Sequence, residues 1–343
     1  MDSVLDSRRT CVRQHQMKRL VLSLLGFLTM VAHGANLGGP LLFTGTCDAS
    51  AAIALDHDLF VVASDEDNIL RFYRPSHPGK PVYRYDLRPV LSLTSKSPET
   101  DLEGAARLGS QVFFISSHGR NAEGKLAPNR HRFFALELAE RDGKISVKRV
   151  GKPYLSLVAD LAHDPKYARF RLMEAAGLAP KSHGGLNIEA LAETPAGGLL
   201  IGFRSPIPEH RALIAPMLNP NEVIKGKPPR FGDPILLDLG GLGLRDICST
   251  PTGYYLLAGP DTGHAESHTE SRLFNWAGDS SRPEPVAEVP FRKINPEGIF
   301  FLNVSNRSDF MIISDDGKRK IRGEECKSLP ESERQFRAYR FTP

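Results

Sequence analysis

The apolar residues of this chain fall in short β-type runs divided by polar, glycine- and proline-rich turns, and the runs recur in a fixed order. Each round starts on an acidic residue beside small ones: CDASAAIAL at 47–55, DLEGAARLG at 101–109, NIEALAETP at 187–195, LRDICSTP at 244–251 and NPEGIFFLN at 295–303. A second run follows each start (LFVVASDED, QVFFISSHG, GGLLIGFRS, YYLLAGPDT, DFMIISDDG). After a polar loop comes a third (ILRFYRP, HRFFALEL, ALIAPML, RLFNWAG, FRAYRFTP). Four rounds add a fourth run, PVYRYDL, KISVKRVG, DPILLDL and PVAEVPF, whereas the fifth stops after three. GPLLFTG at 39–45 stands alone ahead of the first round and can supply the missing strand.

Units of four short strands at this spacing predict an all-β fold, a β-propeller of five four-stranded blades within a single domain, 36–343. Closing the last blade with an N-terminal strand removes the edge that an open ring would expose. The longest interval, between the second and third starts, contains LVADLAHDPKYARFRLMEAAGLAPKSHGG. Its helical composition, ended by Gly and Pro, predicts a helical insertion near 155–185. A sixth blade hidden there is the alternative, though the segment lacks strand alternation. A β-sandwich with fortuitous repeats is the plain one.

Composition leaves this picture intact. Apolar and charged fractions of 41% and 24% are those of an ordinary globular chain. The net charge is +4, but residues 1–34 hold five basic side chains against two acidic ones, which leaves the body near +1. That excludes the basic footprint of a nucleic-acid-binding protein. The same leader contains MKRLVLSLLGFLTMVAHGAN from Met17: a basic start, an apolar core and small residues at its exit. It reads as a secretory signal over 1–34, with the start of translation at Met1 or Met17, and its apolar core is too short to span a bilayer. Three cysteines follow it, Cys47, Cys248 and Cys326, without metal-finger spacing. An exported chain permits one disulfide. A closed ring favours Cys47–Cys326, and buried free thiols are the alternative.

The words TDLEGAA, SSHGRNAEGKLAPNRHRFFAL, GGLNIEALAETPAGGLLIGFRSPI, DLGGLGLRDI and SDDG resemble those of a bacterial family known as domain of unknown function 3616. The resemblance covers roughly 45–340. It implies a propeller related to phytase-like and esterase-like propellers, exported to the periplasm or beyond, and implies no particular activity. NIEALA stands here where the family pattern gives NIEGLA.

In a propeller the innermost strands line a central channel, so residues at their starts share one mouth. Asp48, Glu103, Glu189, Asp246 and Glu297 are therefore expected to converge, with Arg245 and Arg204 to offset their repulsion. Oxygen ligands of this kind suit Ca²⁺, and Asp48, Glu103, Glu189, Glu297 and Asp315 form the candidate metal set. Equally, such carboxylates can hold the backbone N–H groups of blade-connecting loops. The loops after the second strands add His118, Arg120, Asn121 and Arg130, with Asp316 beside Asp315. His118, Arg120 and Arg204 are the catalytic candidates, since a histidine titrates near neutrality and arginines grip phosphate or carboxylate. Glu103, Glu189, Arg245, Asp246, Glu297, Asn121 and Arg130 are the ligand candidates. His264 and His268 flank Glu266 in a stretch that reads as a loop, not the helix a metal pair needs. No G-x-S-x-G elbow is present.

Two functions fit. One is metal-assisted hydrolysis of small phosphate or carboxylate esters at the channel mouth. The other is a non-enzymatic exported propeller, monomeric and free of any membrane span once its signal is removed, that binds a small ligand, glycan or protein.

Overall fold

Inner and outer strands of one blade differ in burial because a blade packs on both faces and meets solvent only at its outer edge. The second strand of blade one, LFVVA, is buried throughout, whereas the outer strand of blade two, KISVKRVGKPY, alternates half-buried and exposed positions. The computed structural model describes residues 36–93, 99–261, 270–286, 289–291, 294–302 and 309–342. Residues 1–34, expected to be a secretory signal, and His264, Glu266 and His268 lie outside them.

Strand β1 (Asn36–Thr44) precedes blade one, which is β2 (Ala51–Asp56), β3 (Leu59–Ala63), β4 (Ile69–Tyr73) and β5 (Tyr83–Asp86). Blade two is β6 (Leu102–Leu108), β7 (Gln111–Ser116), β8 (Phe133–Arg141) and β9 (Lys144–Tyr154). Blade three is β10 (Asn187–Glu193), β11 (Leu199–Ser205), β12 (Ala212–Met217) and β13 (Ile235–Leu237). Blade four is β14 (Gly243–Thr250), β15 (Gly253–Gly259), β16 (Arg272–Trp276) and β17 (Glu284–Pro285). Blade five is β18 (Pro296–Phe301), β19 (Phe310–Ser314) and β22 (Gln335–Thr342), with the small hairpin β20 (Lys320–Ile321) and β21 (Glu324–Glu325) between the last two. Its fourth strand is β1, antiparallel to β22 with Phe43 opposite Phe336. The propeller therefore has five four-stranded blades, each antiparallel, and the N-terminal strand closes the ring.

The innermost strands β2, β6, β10, β14 and β18 adjoin one another in a closed circle. The core is divided among the interfaces between successive blades. Where blades five and one meet, Phe43 of β1 touches Phe60, Tyr73 and Phe336 with ring centroids 5.2, 5.2 and 5.4 Å away. Cys47 and Cys326 form a disulfide across the same junction, and Cys248 is buried and outside any disulfide. The expected insertion folds as two short helices, Leu157–His163 and Leu172–Ala175, whose Leu157, Leu161 and Leu172 complete the core between blades two and three.

Ala190, where the family pattern has glycine, has a structural counterpart. Gly104 and Gly298 face Ile115 and Ile313 across their blades, and a Cβ on either would sit 2.9–3.0 Å from that isoleucine. In blade three the sizes are exchanged: Ala190 faces Gly202. A Cβ on Gly202 would fall 2.7 Å from that of Ala190 and 3.0 Å from Leu244. Gly202→Ala is expected to cost about 1–3 kcal/mol as overpacking, and adding Ala190→Gly to return more than half of it. Urea denaturation of the single and double variants checks this. A double variant no more stable than the single would refute the compensation.

Candidate active site at the channel mouth

In four blades the innermost strand carries a β-bulge at the same place. The register passes over Glu103 in β6, Glu189 in β10, Arg245 in β14 and Glu297 in β18. A bulged residue has no ladder partner, and its side chain is re-aimed. In blade one Ser50 holds that place, just before the Ala51–Ala63 pair. Two residues earlier stand Asp48, Asp101 and Asn295, just ahead of their strands, and Asn187 and Gly243, at the starts of β10 and β14. The exits of the second strands contribute Asp65, Ser117, Arg204, Gly259 and Asp315. The repeat thus stacks three tiers of equivalent residues around one mouth.

Blade four supplies Arg245 to the tier, not Asp246. Asp246 is one residue past the bulge and buried between blades, where its oxygens accept the N–H groups of Ile247 and Ile299, both at 2.8 Å. It fastens blade four to blade five, the architectural alternative raised for such carboxylates.

Arg245, also buried, pairs with Glu297 and lies 3.4 Å from Glu189 Oε2. Arg204 donates to Glu189 Oε1 at 2.8 Å and to the Pro260 carbonyl at 2.9 Å. Asn187 donates to Glu189 at 2.6 Å, while Asn295 reaches Glu297 and Asp315 at 3.1 and 3.0 Å. Arg130 bonds Asp101 and Glu99 at 2.9 and 2.7 Å. Asp101 holds a left-handed backbone at φ 54°. Asp48 shares a hydrogen bond with Asp315. Gly317 makes room for it, since a Cβ there would fall 1.9 Å from Asp48 Oδ1.

Positive charge is short at this mouth. Among the described residues, Asp48, Asp65, Asp101, Glu103, Glu189, Glu297 and Asp315 are offset by Arg130, Arg204 and Arg245, with Lys327 acting on Asp48 from a distance. Glu103 accepts no hydrogen bond from a described residue, and Asp65 Oδ1 is buried without a partner. Burial, reinforced by Glu189 and Asp101, pushes the Glu103 carboxyl well above its ordinary range. Burial does the same to Asp65, with Asp101 and Asp315 adding to it. Burial together with Asp315 lifts Asp48 to about 7. Burial carries Asp101 to about 6 against the pull of Arg130, and Glu297 to about 7 against that of Arg245. Arg245 keeps its charge, because Glu297 and Glu189 outweigh its own burial.

Of the catalytic candidates, Arg204 stands at the mouth on Glu189, whereas His118 and Arg120 are placed elsewhere. His118 is buried, its Nδ1 donating to the Ser116 carbonyl at 2.8 Å and its Nε2 without a partner. Burial, with His131 beside it, lowers it to about 3, so it is neutral and points at no acidic residue of the mouth. Arg120 donates to the carbonyls of Ala176 and Gly124, tying the loop to the helical insertion. Asn121 accepts the Lys125 N–H within its own turn. Asp316 is held by Arg337 and Ser314. None of these four belongs to the acidic mouth. Asp65, Asp101 and Glu99 do, and a comparison of second-strand exits would have found Asp65 opposite Asp315. Among the described residues, no three acidic, histidine or cysteine side chains are gathered closely enough to share one metal ion. Glu189 and Glu297 of the candidate metal set are engaged by arginines, which leaves Asp48, Glu103 and Asp315 of that set.

A family model described as "Protein of unknown function (DUF3616)" matches residues 147–327, just over half of the chain. The chain belongs to this family. For this member no curated protein matches in sequence. Among solved structures it is similar to an oxidoreductase (glucose dehydrogenase) from Thermus thermophilus, with 15% identity over 88% of this chain and 100% of that one and a TM-score of 0.43. A glutaminyl cyclase from Myxococcus xanthus gives 9% identity, 90% and 96% coverage and a TM-score of 0.41. A gluconolactonase from Xanthomonas campestris gives 14%, 82% and 75%, and 0.37. Likeness at this level says nothing of activity, and the propeller assignment rests on the strand order. No helix among the described residues is long and apolar enough to cross a membrane.

Proposed function

We propose that this DUF3616 member is an exported binding propeller whose channel mouth takes a small cationic ligand. The observation that carries this is the surplus of carboxylates: among the described residues Glu103 accepts no hydrogen bond, and one oxygen of Asp65 is buried without a partner. Unpaired buried carboxyls are costly, and a positive ligand offsets that cost. The Cys47–Cys326 disulfide supports an oxidising compartment. Ester hydrolysis with arginine clamps is disfavoured, because Arg130, Arg204 and Arg245 are already tied to carboxylates. A calcium ion matches the oxygen chemistry of the mouth. The scattered carboxylates suit an ion that keeps its water, or an organic ammonium, better than a stripped ion.

The linkage has a definite sign. Folding raises these carboxyls from about 4 in the unfolded chain toward 6 and 7. Between those values the folded state binds more protons, so stability is greatest at the acid end and falls as pH rises through the window. A bound cation lowers the same pKa values and releases protons. In thermal melts at constant ionic strength, calcium or putrescine is expected to raise the melting temperature at pH 8 and far less at pH 5. Calorimetry in buffers of different ionisation enthalpy should show proton release. An effect of calcium alone marks a metal site, and one of putrescine alone an organic one. Asp65→Asn and Glu103→Gln are expected to melt higher than wild type at pH 8 without ligand and to lose the shift. No shift at pH 8 from either cation, or an equal shift in both variants, would sink the proposal.

A further inference from the structure

The far end of the channel has a different character. A cavity of about 260 Å³ is lined there by the outgoing ends of all five innermost strands. Arg107, on its wall, is four residues beyond the bulge at Glu103, about 13 Å along the strand from the acidic mouth. The walls are mostly apolar, with Ala105, Leu191, Ile299 and Phe300 among them.

Arg107 is the unusual member. Its Nη2 donates to the carbonyls of Ala54 and Leu55 at 3.1 and 3.4 Å, and its Nε is buried without an acceptor. None of its hydrogen bonds goes to a described carboxylate. Burial opposes its charge, and Glu193 and Asp56 only partly restore it from a distance. Arg132 is also weakened by burial, but carbonyls of Leu91, Pro128 and His131 and the Asn129 side chain surround it. Arg107 instead borders open space. Glu193, at the same cavity, takes the Ser249 hydroxyl and would repel a second negative charge.

We propose that this cavity is a second ligand site, for a small monocarboxylate with an aromatic or short aliphatic body. The carboxylate pairs with the Arg107 guanidinium, and the body packs among Ala105, Leu191, Ile299 and Phe300. An apolar cavity of about 150 Å³ holds benzene, so this volume admits a phenyl ring with a short acid tail. Charge-assisted hydrogen bonds to the guanidinium supply the selectivity, about tenfold or more over a neutral isostere.

Cys248 lies on the same wall and is outside any disulfide, whereas Cys47 and Cys326 are joined in one. Its alkylation rate, read by peptide mass spectrometry on the whole protein, reports occupancy. 3-Phenylpropanoate is expected to slow alkylation and raise the melting temperature, and 3-phenylpropanamide to need about ten times the concentration. Arg107→Met should lose the protection. Ala105→Leu should lose it too by filling the cavity with Arg107 in place, and it decides the matter if Arg107→Met does not fold. Glu103→Gln, at the other mouth, should retain it. Equal protection by acid and amide, or protection that survives in Arg107→Met or Ala105→Leu, overturns the assignment.

Discussion

Replacing Arg245 by methionine is expected to lower the unfolding free energy at pH 8 by about 3–5 kcal/mol, far beyond the loss of one ordinary hydrogen bond. The guanidinium is buried between Glu297 and Glu189, which come from blades five and three. Removing one partner of a buried pair leaves the other charge without compensation, and here two carboxylates are left. Arg204 and Asn187 still hold Glu189, so most of the penalty falls on Glu297. Two further measurements separate this cause from lost packing. Adding Glu297→Gln should recover more than half of the loss. The loss should also shrink toward pH 5, where Glu297, already near 7 beside the arginine, is protonated. A cost below about 1 kcal/mol, or one unchanged between pH 8 and pH 5, would mean that the carboxylates do not depend on Arg245 for compensation.

The same arginine shows how far the mouth was legible in the sequence. The acidic-small step located the start of every innermost strand, and Glu103, Glu189 and Glu297 occupy the bulge position it implied. Alignment by residue type then failed in blade four, because it matched acid to acid and chose Asp246. Register is a backbone property, and there the bulge falls on its neighbour. Asp65 and Asp101 escaped for a related reason: they stand within the quoted runs but not at the acidic position that was matched between rounds, and only the pairing of strand entries with strand exits brings them to the same place. His118 misled in the opposite direction. A histidine among polar loop residues suggests solvent and a working pKa, yet its left-handed backbone at φ 55° turns it into the protein, where burial keeps it neutral. Ala190 is accommodated because it faces Gly202, a pairing visible only once β10 and β11 are in register. Strand order, ring closure and the helical insertion needed only local pattern, and those the sequence carried in full.

Closure of the ring is the other place where a single change has a large effect. Strand β1 is the fourth strand of blade five, and without it β22 would present an open edge beside blade one. Phe43 is the residue by which β1 holds on: it is fully buried against Phe60 and Tyr73 of blade one and Phe336 of its own blade. Phe43→Ala is expected to cost about 3–5 kcal/mol, as for other buried aromatic truncations. The disulfide closes the same junction covalently, across 279 residues of sequence, and removing it with Cys326→Ser should cost about 2–5 kcal/mol. The two changes should not add. With the covalent tie gone, β1 and blade one are held together by packing alone, so Phe43→Ala should cost about 1 kcal/mol more in Cys326→Ser than in wild type. Urea denaturation of the two single variants and the double closes this cycle. Strict additivity would show that the strand and the disulfide guard separate parts of the junction, and a loss below about 1 kcal/mol for Phe43→Ala would show that the ring closes without its N-terminal strand.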